Sequence, residues 1–180
     1  MLKGIYDFVA GGRANVFAAQ AIVTAPVIWS TAAATGGPLL YNGSNANGAK
    51  GVTAYLLALS CGITTSSAVA GCLGITGGPT TAPASTTAID SVMNLRFVTG
   101  TTTPLCSVYR LGTVSAHGVG FLQVFDVDTG TQTVDTLVGG FQHLGGMVEV
   151  GVGNFAAVAG SATLTTGVFN IGLVWAEVPN

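Results

Sequence analysis

Two aspartates in the last third of the chain have the only spacing that could hold a metal ion. Asp126 and Asp128 are one residue apart, and Asp135 follows. Side chains at i and i+2 leave a strand on the same side, where two carboxylates could share a hard cation such as calcium. An EF-hand loop starting at Asp126 would need oxygen ligands where this sequence has Gly130 and Leu137. We therefore expect no metal, with Asp126 and Asp128 as the only candidates, and interpret the stretch as a turn after a strand.

The histidines and cysteines form no catalytic or zinc-binding pattern. His117 lies in an apparent hairpin turn, and His143 alternates with apolar neighbours. No Gly-x-Ser-x-Gly elbow selects a nucleophilic serine, and no Cys-x-x-Cys pair occurs. Cys61, Cys72 and Cys106 lie in apolar or small-residue stretches, which predicts buried thiols. A Cys61–Cys72 disulfide remains open for a protein that ends up outside the cell. We expect neither an enzyme nor a cofactor.

The chain carries unusually little charge. Charged residues are 7% of the sequence and the formal net charge is −2, whereas soluble proteins contain about 25% charged residues. Either Thr, Ser, Asn and Gly keep the surface hydrated, or other protein covers much of it; we favour the second interpretation. The five basic residues are scattered along the chain, so the sequence predicts no nucleic-acid partner; they are Lys3, Arg13, Lys50, Arg96 and Arg110.

The first 25 residues differ from the rest of the chain. The apolar window 14–29 contains polar residues and is too short to span a bilayer, and Asp7 and Arg13 interrupt any signal-peptide core. The sequence thus predicts no membrane association, no signal peptide and synthesis in a host cytoplasm. Residues 1–25 are either an N-terminal arm that reaches onto a neighbouring subunit or an edge segment. Residues 26–180 are predicted to form a single β-sandwich domain.

Short apolar runs separated by turn residues predict an all-β fold. Residues 53–63 are predicted as a central strand covered on both sides, and 116–118 as a hairpin joining two strands. Residues 87–93 resemble the start of a short helix, with Thr87 as its N-cap. The spacing of the breaks predicts an antiparallel β-sandwich, jelly-roll-like, of about 8–10 strands with at most one or two short helices.

The closing stretch, residues 145–179, shows the clearest pattern. Large apolar residues occupy every second position of its last run and are expected to be buried: Phe169, Ile171, Leu173 and Trp175. The residues between them are small and nearly charge-free, which is typical of a surface that other protein covers. Two β-rich runs, 147–152 and 155–160, precede this run, and the three together are predicted to form a meander.

This closing run resembles small bacteriophage virion proteins of the jelly-roll or sandwich type, which decorate capsids as cement or form head fibres. The features that carry the resemblance are the Val148, Val150 and Val152 alternation, the Gly153-Asn154 turn, the Ala-rich strand and the terminal run 171–179. The resemblance implies a homo-oligomer, a dimer or trimer, that clamps the major capsid protein within a virion.

Three functional hypotheses follow from the sequence. The first is a non-enzymatic viral structural protein, a capsid cement or decoration subunit that acts through apolar contact. The second is a carbohydrate-binding or adhesin β-sandwich at a fibre tip, using the loops 77–86 and 99–103. The third is a self-assembling filament subunit that exchanges residues 1–25 with a neighbour.

Overall fold

Two antiparallel β-sheets contain all of the regular structure in the described part of the chain. In this computed structural model, residues 14–26, 29, 35–36, 38–43, 51–65, 67–89, 91–95, 103–114, 120–127 and 140–180 are described. Among them no helix occurs, and therefore none that could span a membrane. The strands are β1 (Asn15–Thr24), β2 (Thr35–Gly36), β3 (Leu39–Asn42), β4 (Val52–Thr65), β5 (Gly71–Pro79), β6 (Ala84–Ala88), β7 (Val92–Asn94), β8 (Ser107–Thr113), β9 (Phe121–Val127), β10 (Gly140–Val150), β11 (Asn154–Gly160) and β12 (Val168–Pro179).

The strand order defines two layers. Sheet A has the order β10-β4-β12-β1-β7, and sheet B contains β8, β3, β11, β5 and β9 with β2 and β6 paired to β8. The pairs Thr35–Thr113 and Leu39–Tyr109 belong to one register, so β2 and β3 are two parts of a single interrupted strand. Since Tyr109 also pairs with Ala88, β6 lies on the other side of β8.

Eight of the strands pair in jelly-roll order. Numbered along the chain as β1, β3, β4, β5, β9, β10, β11 and β12, the first pairs with the last, the second with the seventh, the third with the sixth and the fourth with the fifth. This is the double-sheet arrangement of a jelly roll. The predicted all-β antiparallel sandwich is therefore confirmed, and the short strands β2, β6 and β7, together with β8, account for the extra elements.

The hydrophobic core lies between the sheets, and β1, β4 and β12 of sheet A contribute the most residues to it. Phe169, Ile171, Leu173 and Trp175 are all at most 2% exposed, which confirms the predicted inner face of β12. On β1 the same alternation buries Phe17, whose ring centroid lies 5.6 Å from that of Trp175. Period-two alternation places such residues on one face of a strand, so two adjacent strands contribute one continuous apolar layer.

Three local predictions are wrong, and in each case pairing between distant segments decides the structure. Residues 87–93 form no helix, because Ala88 pairs with β8 and Val92 with β1. The closing stretch is not a meander: β10 and β12 belong to sheet A, while β11 crosses to sheet B. No hairpin connects β8 and β9, because β9 pairs with β5 at the far side of sheet B; residues 116–118 themselves lie outside the described residues.

Residues 15–24, which the sequence assigns to an arm or edge segment, form β1 inside sheet A. β1 pairs with β12 along its whole length and with β7 over residues 17–19. Residues 1–13 lie outside the described residues, so a shorter arm remains a prediction. β4 lies between β10 and β12 as expected for a central strand.

A buried asparagine ties the two sheets together at one end. Asn42, at the end of β3 in sheet B, has no exposed surface. Its side-chain amide donates hydrogen bonds to the carbonyl oxygens of Val52 and Val150 in sheet A, each at 2.8 Å. Both carbonyls would otherwise be left without these donors at the closed end of the sandwich.

Replacing Asn42 with aspartate should therefore destabilise the fold strongly. The new carboxylate would face two carbonyl oxygens without a proton to donate, and we expect the free energy of unfolding to fall by about 3–5 kcal/mol. Urea denaturation at neutral pH measures this. Asn180→Asp is the matched control, because the side-chain oxygen of Asn180 only accepts a hydrogen bond from Thr53. Equal losses in both variants would contradict the role of Asn42.

Candidate functional site

Of the two candidate metal ligands, Asp126 and Asp128, only Asp126 belongs to the described residues. Asp126 lies exposed on β9, where its Oδ1 accepts a hydrogen bond of 2.6 Å from Gln123 Nε2. Asp128 and Asp135 lie outside the described residues. Within the described ranges, no three side chains of the metal-binding types come together. The cation site thus stays an untested hypothesis.

The histidines and cysteines are not brought together into a catalytic group. His143 is exposed on β10 and contacts Phe141 edge-on, with ring centroids 4.9 Å apart; His117 lies outside the described residues. Cys61, Cys72 and Cys106 are buried and free, which confirms the packed-thiol interpretation. Burial raises the pKa of Cys61 to about 11. A thiol that stays protonated is a poor nucleophile.

A buried carboxylate, which the sequence analysis missed, closes the sandwich at one end of β12. Glu177 is 3% exposed. Its Oε1 accepts hydrogen bonds from the backbone N–H of Cys106 at 2.9 Å and from Trp175 Nε1 at 3.2 Å, and its Oε2 accepts one from the backbone N–H of Leu105 at 2.9 Å. Burial, the Glu177 charge and a hydrogen bond to Glu177 all raise the pKa of the Cys106 thiol. These contacts join sheet A to the segment before β8, so we assign Glu177 a structural role.

The outer face of sheet A presents a regular surface without charge. It consists of three cross-strand rows, and its residues are Gly62, Asn170 and Ile22 in the first, Phe141, Ser60, Gly172 and Gln20 in the second, and His143, Ala58, Val174, Ala18 and Met93 in the third. The described charged residues are Arg110, Asp126, Glu149 and Glu177, and none belongs to these rows. Glu149 lies at the β10 edge of the next row of the same face, with Tyr55, Ala176 and Val16. The small, nearly charge-free second face predicted for β12 thus extends across three rows of sheet A.

Apolar side chains of different sizes shape this outer face. Large apolar side chains stand at its two sides, where Phe141 is 58%, Ile22 62% and Met93 55% exposed. Between them the floor is made of small residues such as Ser60 and Gly172, and a depression of about 290 Å³ lies on the β1–β12 side. Exposed apolar groups arranged as ridges beside a flat floor are suited to protein contact rather than to hydration.

A second feature is a cleft of about 670 Å³, formed by β5, β9, β10 and β11. Its residues include Ile75 and Ala156 from the core, Leu122 from β9, and Met147 and Glu149 from β10. It lies at the side of the sandwich where β9 and β10 end their sheets, and no further described strand covers the core there.

A large bulge in β10 shapes the cleft. Between the pairs His143–Ala58 and Val148–Leu56, four residues of β10 oppose a single residue of β4. Gly145 and Gly146 have φ of 59° and 75°, in the left-handed region that glycine tolerates. The bulge buries Leu144 at 3% exposure and leaves Met147 67% exposed beside the cleft. Bulges redirect side chains in this way next to binding surfaces.

Four aromatic residues could stack on a sugar ring if they were exposed: Trp29, Tyr41, Tyr55 and Trp175. Trp175 is fully buried, as expected, and Tyr41 and Tyr55 are half-buried. Trp29 is half-buried and stacks on Phe121, with ring centroids 6.0 Å apart.

No protein-family model, no curated protein and no solved structure matches this chain. The two surfaces described above, the outer face of sheet A and the cleft, are the features of the described residues that could contact a ligand or partner. Both are more apolar than polar.

Proposed function

We propose that this chain is a non-enzymatic structural protein of a virion, a capsid cement or decoration subunit that acts through protein–protein contact. The observation that supports it best is the set of three uncharged rows on the outer face of sheet A, with the depression among them. Charged residues are depleted at the cores of protein interfaces, because desolvating an unpaired charge is unfavourable. The hydration of a face of this composition is weak, so covering it with protein costs little desolvation free energy.

The outer face is large enough for a specific interface. Sheet A has five strands, and at a spacing of about 4.8 Å and a length of about 30 Å its whole outer face, including the row that carries Glu149, presents at most roughly 700 Å². A standard interface buries about 800 Å² on each partner. We propose a second copy of this chain as the occupant of this face, which makes the protein a homo-oligomer, and the major capsid protein as the partner of the remaining surface.

The shape of the outer face suits self-association. In a two-fold contact the same patch occurs on both subunits, so each ridge must find a groove on its partner. The side ridges at Phe141 and Met93 and the small-residue floor around Gly172 provide both shapes on one surface. Apolar burial would then supply the affinity without chemistry.

Gln20→Glu tests this interface at almost no steric cost. Gln20 is exposed in the middle row of the outer face. A symmetric contact brings two introduced carboxylates into one buried surface, where like charges cost several kcal/mol, so we expect the dissociation constant to rise about 100-fold or more. Light scattering over a dilution series measures this. Gln142→Glu, an exposed glutamine on β10 that does not belong to the three rows, should leave association unchanged.

A monomeric wild-type protein at high concentration would contradict the oligomer. The virion assignment needs a separate test: antibodies raised against the purified chain should label intact virus particles from its source in the electron microscope. Unlabelled particles, with the antibody shown to bind the folded protein, would contradict that part alone.

The two other hypotheses remain open to equally direct tests. A glycan array probes the carbohydrate-binding hypothesis, for which the stacked Trp29–Phe121 pair is the best-placed aromatic group. For the filament hypothesis, a deletion should remove only residues 1–13, because residues 15–24 form β1 and their loss would disrupt sheet A. Assembly that survives this deletion would argue against exchange of the N-terminal residues.

A further inference from the structure

The cleft is an exposed continuation of the hydrophobic core. Ile75 and Ala156 are 4% and 2% exposed and belong to the main core cluster, yet both line the cleft. Leu122 and Met147, at its mouth, are 43% and 67% exposed. Covering such side chains is favourable by about 25 cal/mol for each Å² of apolar surface removed from water. The site therefore favours an apolar occupant.

The cleft also lies beside two strand edges. β9 ends sheet B and β10 ends sheet A, and no other described strand pairs with their outer sides. Neither sequence contains lysine or proline, the residues that commonly protect edge strands from pairing. Such edges present backbone N–H and C=O groups that an added strand can pair with.

Residues 148–150 of β10 define which side chains an added strand would need. Val150 is buried and Val148 packs against the core, so both point inward, whereas Glu149 is exposed and points outward. Residues directly opposite each other on paired strands lie on the same face. The residues opposite Val148 and Val150 would thus extend towards the cleft, and the residue opposite Glu149 would lie beside its carboxylate.

The charge of Glu149 is available to such a partner. Its cross-strand neighbour on the other side is Tyr55, which cannot neutralise a carboxylate. Burial and the Glu149 charge together raise the pKa of Tyr55, as expected where a negative potential opposes a second anion. Among the described residues no basic side chain forms an ion pair with Glu149.

We infer that the free edge of β10 at residues 147–150 binds an extended peptide segment of a partner protein, with an apolar–basic–apolar sequence. The apolar side chains opposite Val148 and Val150 enter the cleft, and the Lys or Arg between them pairs with Glu149. This mode of recognition adds a strand to sheet A, with backbone pairing for affinity and the cleft and carboxylate for specificity. The proposed self-association uses the three uncharged rows of the outer face, whereas Glu149 lies in the adjoining row at the edge of β10.

Fluorescence anisotropy with three labelled synthetic peptides tests the inference on the full chain. The first peptide is Thr-Thr-Val-Lys-Val-Thr-Thr, the second has Glu in place of Lys, and the third has Pro in place of the first Val. Exchanging an opposite-charge for a like-charge cross-strand pair is worth on the order of 1.4 kcal/mol, so we expect the Lys peptide to bind about tenfold more tightly than the Glu peptide. Proline should abolish binding, because it removes a backbone donor.

Two variants of the protein distinguish pairing of the peptide with Glu149 from a general effect of the protein's net charge. Glu149→Lys should invert the preference, so that the Glu peptide binds about tenfold more tightly. Asp126→Lys makes the same charge change at an exposed position near the other end of β9 and should leave the order of the peptides unchanged. Unchanged far-UV circular dichroism in both variants shows that the fold is retained.

Three results would overturn the inference: no detectable binding of the Lys peptide, equal binding of the Lys and Glu peptides, or undiminished binding of the Pro peptide. A Glu149→Lys protein that loses its oligomeric state in light scattering, with no peptide bound by the wild type, would instead assign this edge to a second copy. Neither result depends on whether Gln20→Glu affects association, so failure here and failure of the proposed oligomer can be told apart.

Discussion

Replacing Trp175 with alanine is expected to lower the free energy of unfolding by about 3–5 kcal/mol. The indole has no exposed surface and lies against Phe17, with ring centroids 5.6 Å apart. The substitution removes that packing and leaves a cavity between the sheets that neighbouring side chains can fill only in part. It also removes the indole N–H that donates to Glu177. Urea denaturation followed by circular dichroism measures the loss.

Two further substitutions make the Trp175 result interpretable. Trp175→Phe keeps most of the apolar volume but loses the N–H donor, so it should cost less than the alanine variant. Met93→Ala removes an apolar side chain that is 55% exposed and should change stability by less than about 0.5 kcal/mol in the monomer. Unchanged stability in Trp175→Ala would mean that the ring is not part of the core.

Replacing Glu177 with glutamine is expected to lower the free energy of unfolding by about 2–4 kcal/mol. The buried carboxylate accepts from the backbone N–H groups of Leu105 and Cys106 and from the Trp175 indole. A glutamine amide has only one oxygen, so its NH₂ group would face at least one of these donors. The loss is that of charge-assisted hydrogen bonds in a site that excludes water.

The hydrogen bonds that Glu177 accepts from residues 105 and 106 are called the Glu177 clamp. Measurements at these two residues distinguish the loss of the clamp from a general loss of stability. In Glu177→Gln, the amides of Leu105 and Cys106 should exchange with deuterium faster than those of β11, and the Cys106 thiol should react sooner with a thiol reagent. Glu149→Gln is the matched control, because that carboxylate is exposed and should leave stability nearly unchanged. Identical exchange at Leu105 and Cys106 in wild type and variant would contradict the clamp.

The sequence predicts β12 well because one physical rule determines its pattern. A strand that packs on a core must alternate, and Phe169 to Trp175 alternate without interruption. The same rule, extended by two residues, places Glu177 on the buried side. A lone carboxylate in that position is the signal that could have revealed the clamp, but its partners, residues 105 and 106, are set by tertiary structure.

The first strand and the pairing order could not be predicted in this way. Residues 14–21 are rich in alanine, which fits a helical period as well as an alternating one, so the pairing of β1 with β12 decides the structure. The Thr87 capping signature is equally local, and the pairing of Ala88 with β8 overrides it. Which strands are neighbours depends on contacts between distant segments, and no local period contains that information.

The outer face could be predicted in part from a local sequence pattern, whereas the cleft could not. The small residues of β12 already indicate a covered surface, and sheet A extends that pattern through Ser60, Ala18 and Gln20. The cleft could not be anticipated, because it requires knowing that β9 and β10 end their sheets on the same side. Glu149 has no distinguishing sequence context apart from its place between two valines.

The position of β12 between β4 and β1 has a consequence for how the protein is made. Both of its neighbours leave the ribosome early, whereas the residues of β12 come after every other described strand. Sheet A therefore cannot form completely until β12 has been synthesised. Until then, the edges of β1 and β4 that pair with β12 have no strand to pair with. Folding dominated by such distant pairings is slow, and waiting edges invite association with other chains. We expect sheet A to close only after β12 has been synthesised, and the chain to depend on chaperones until then.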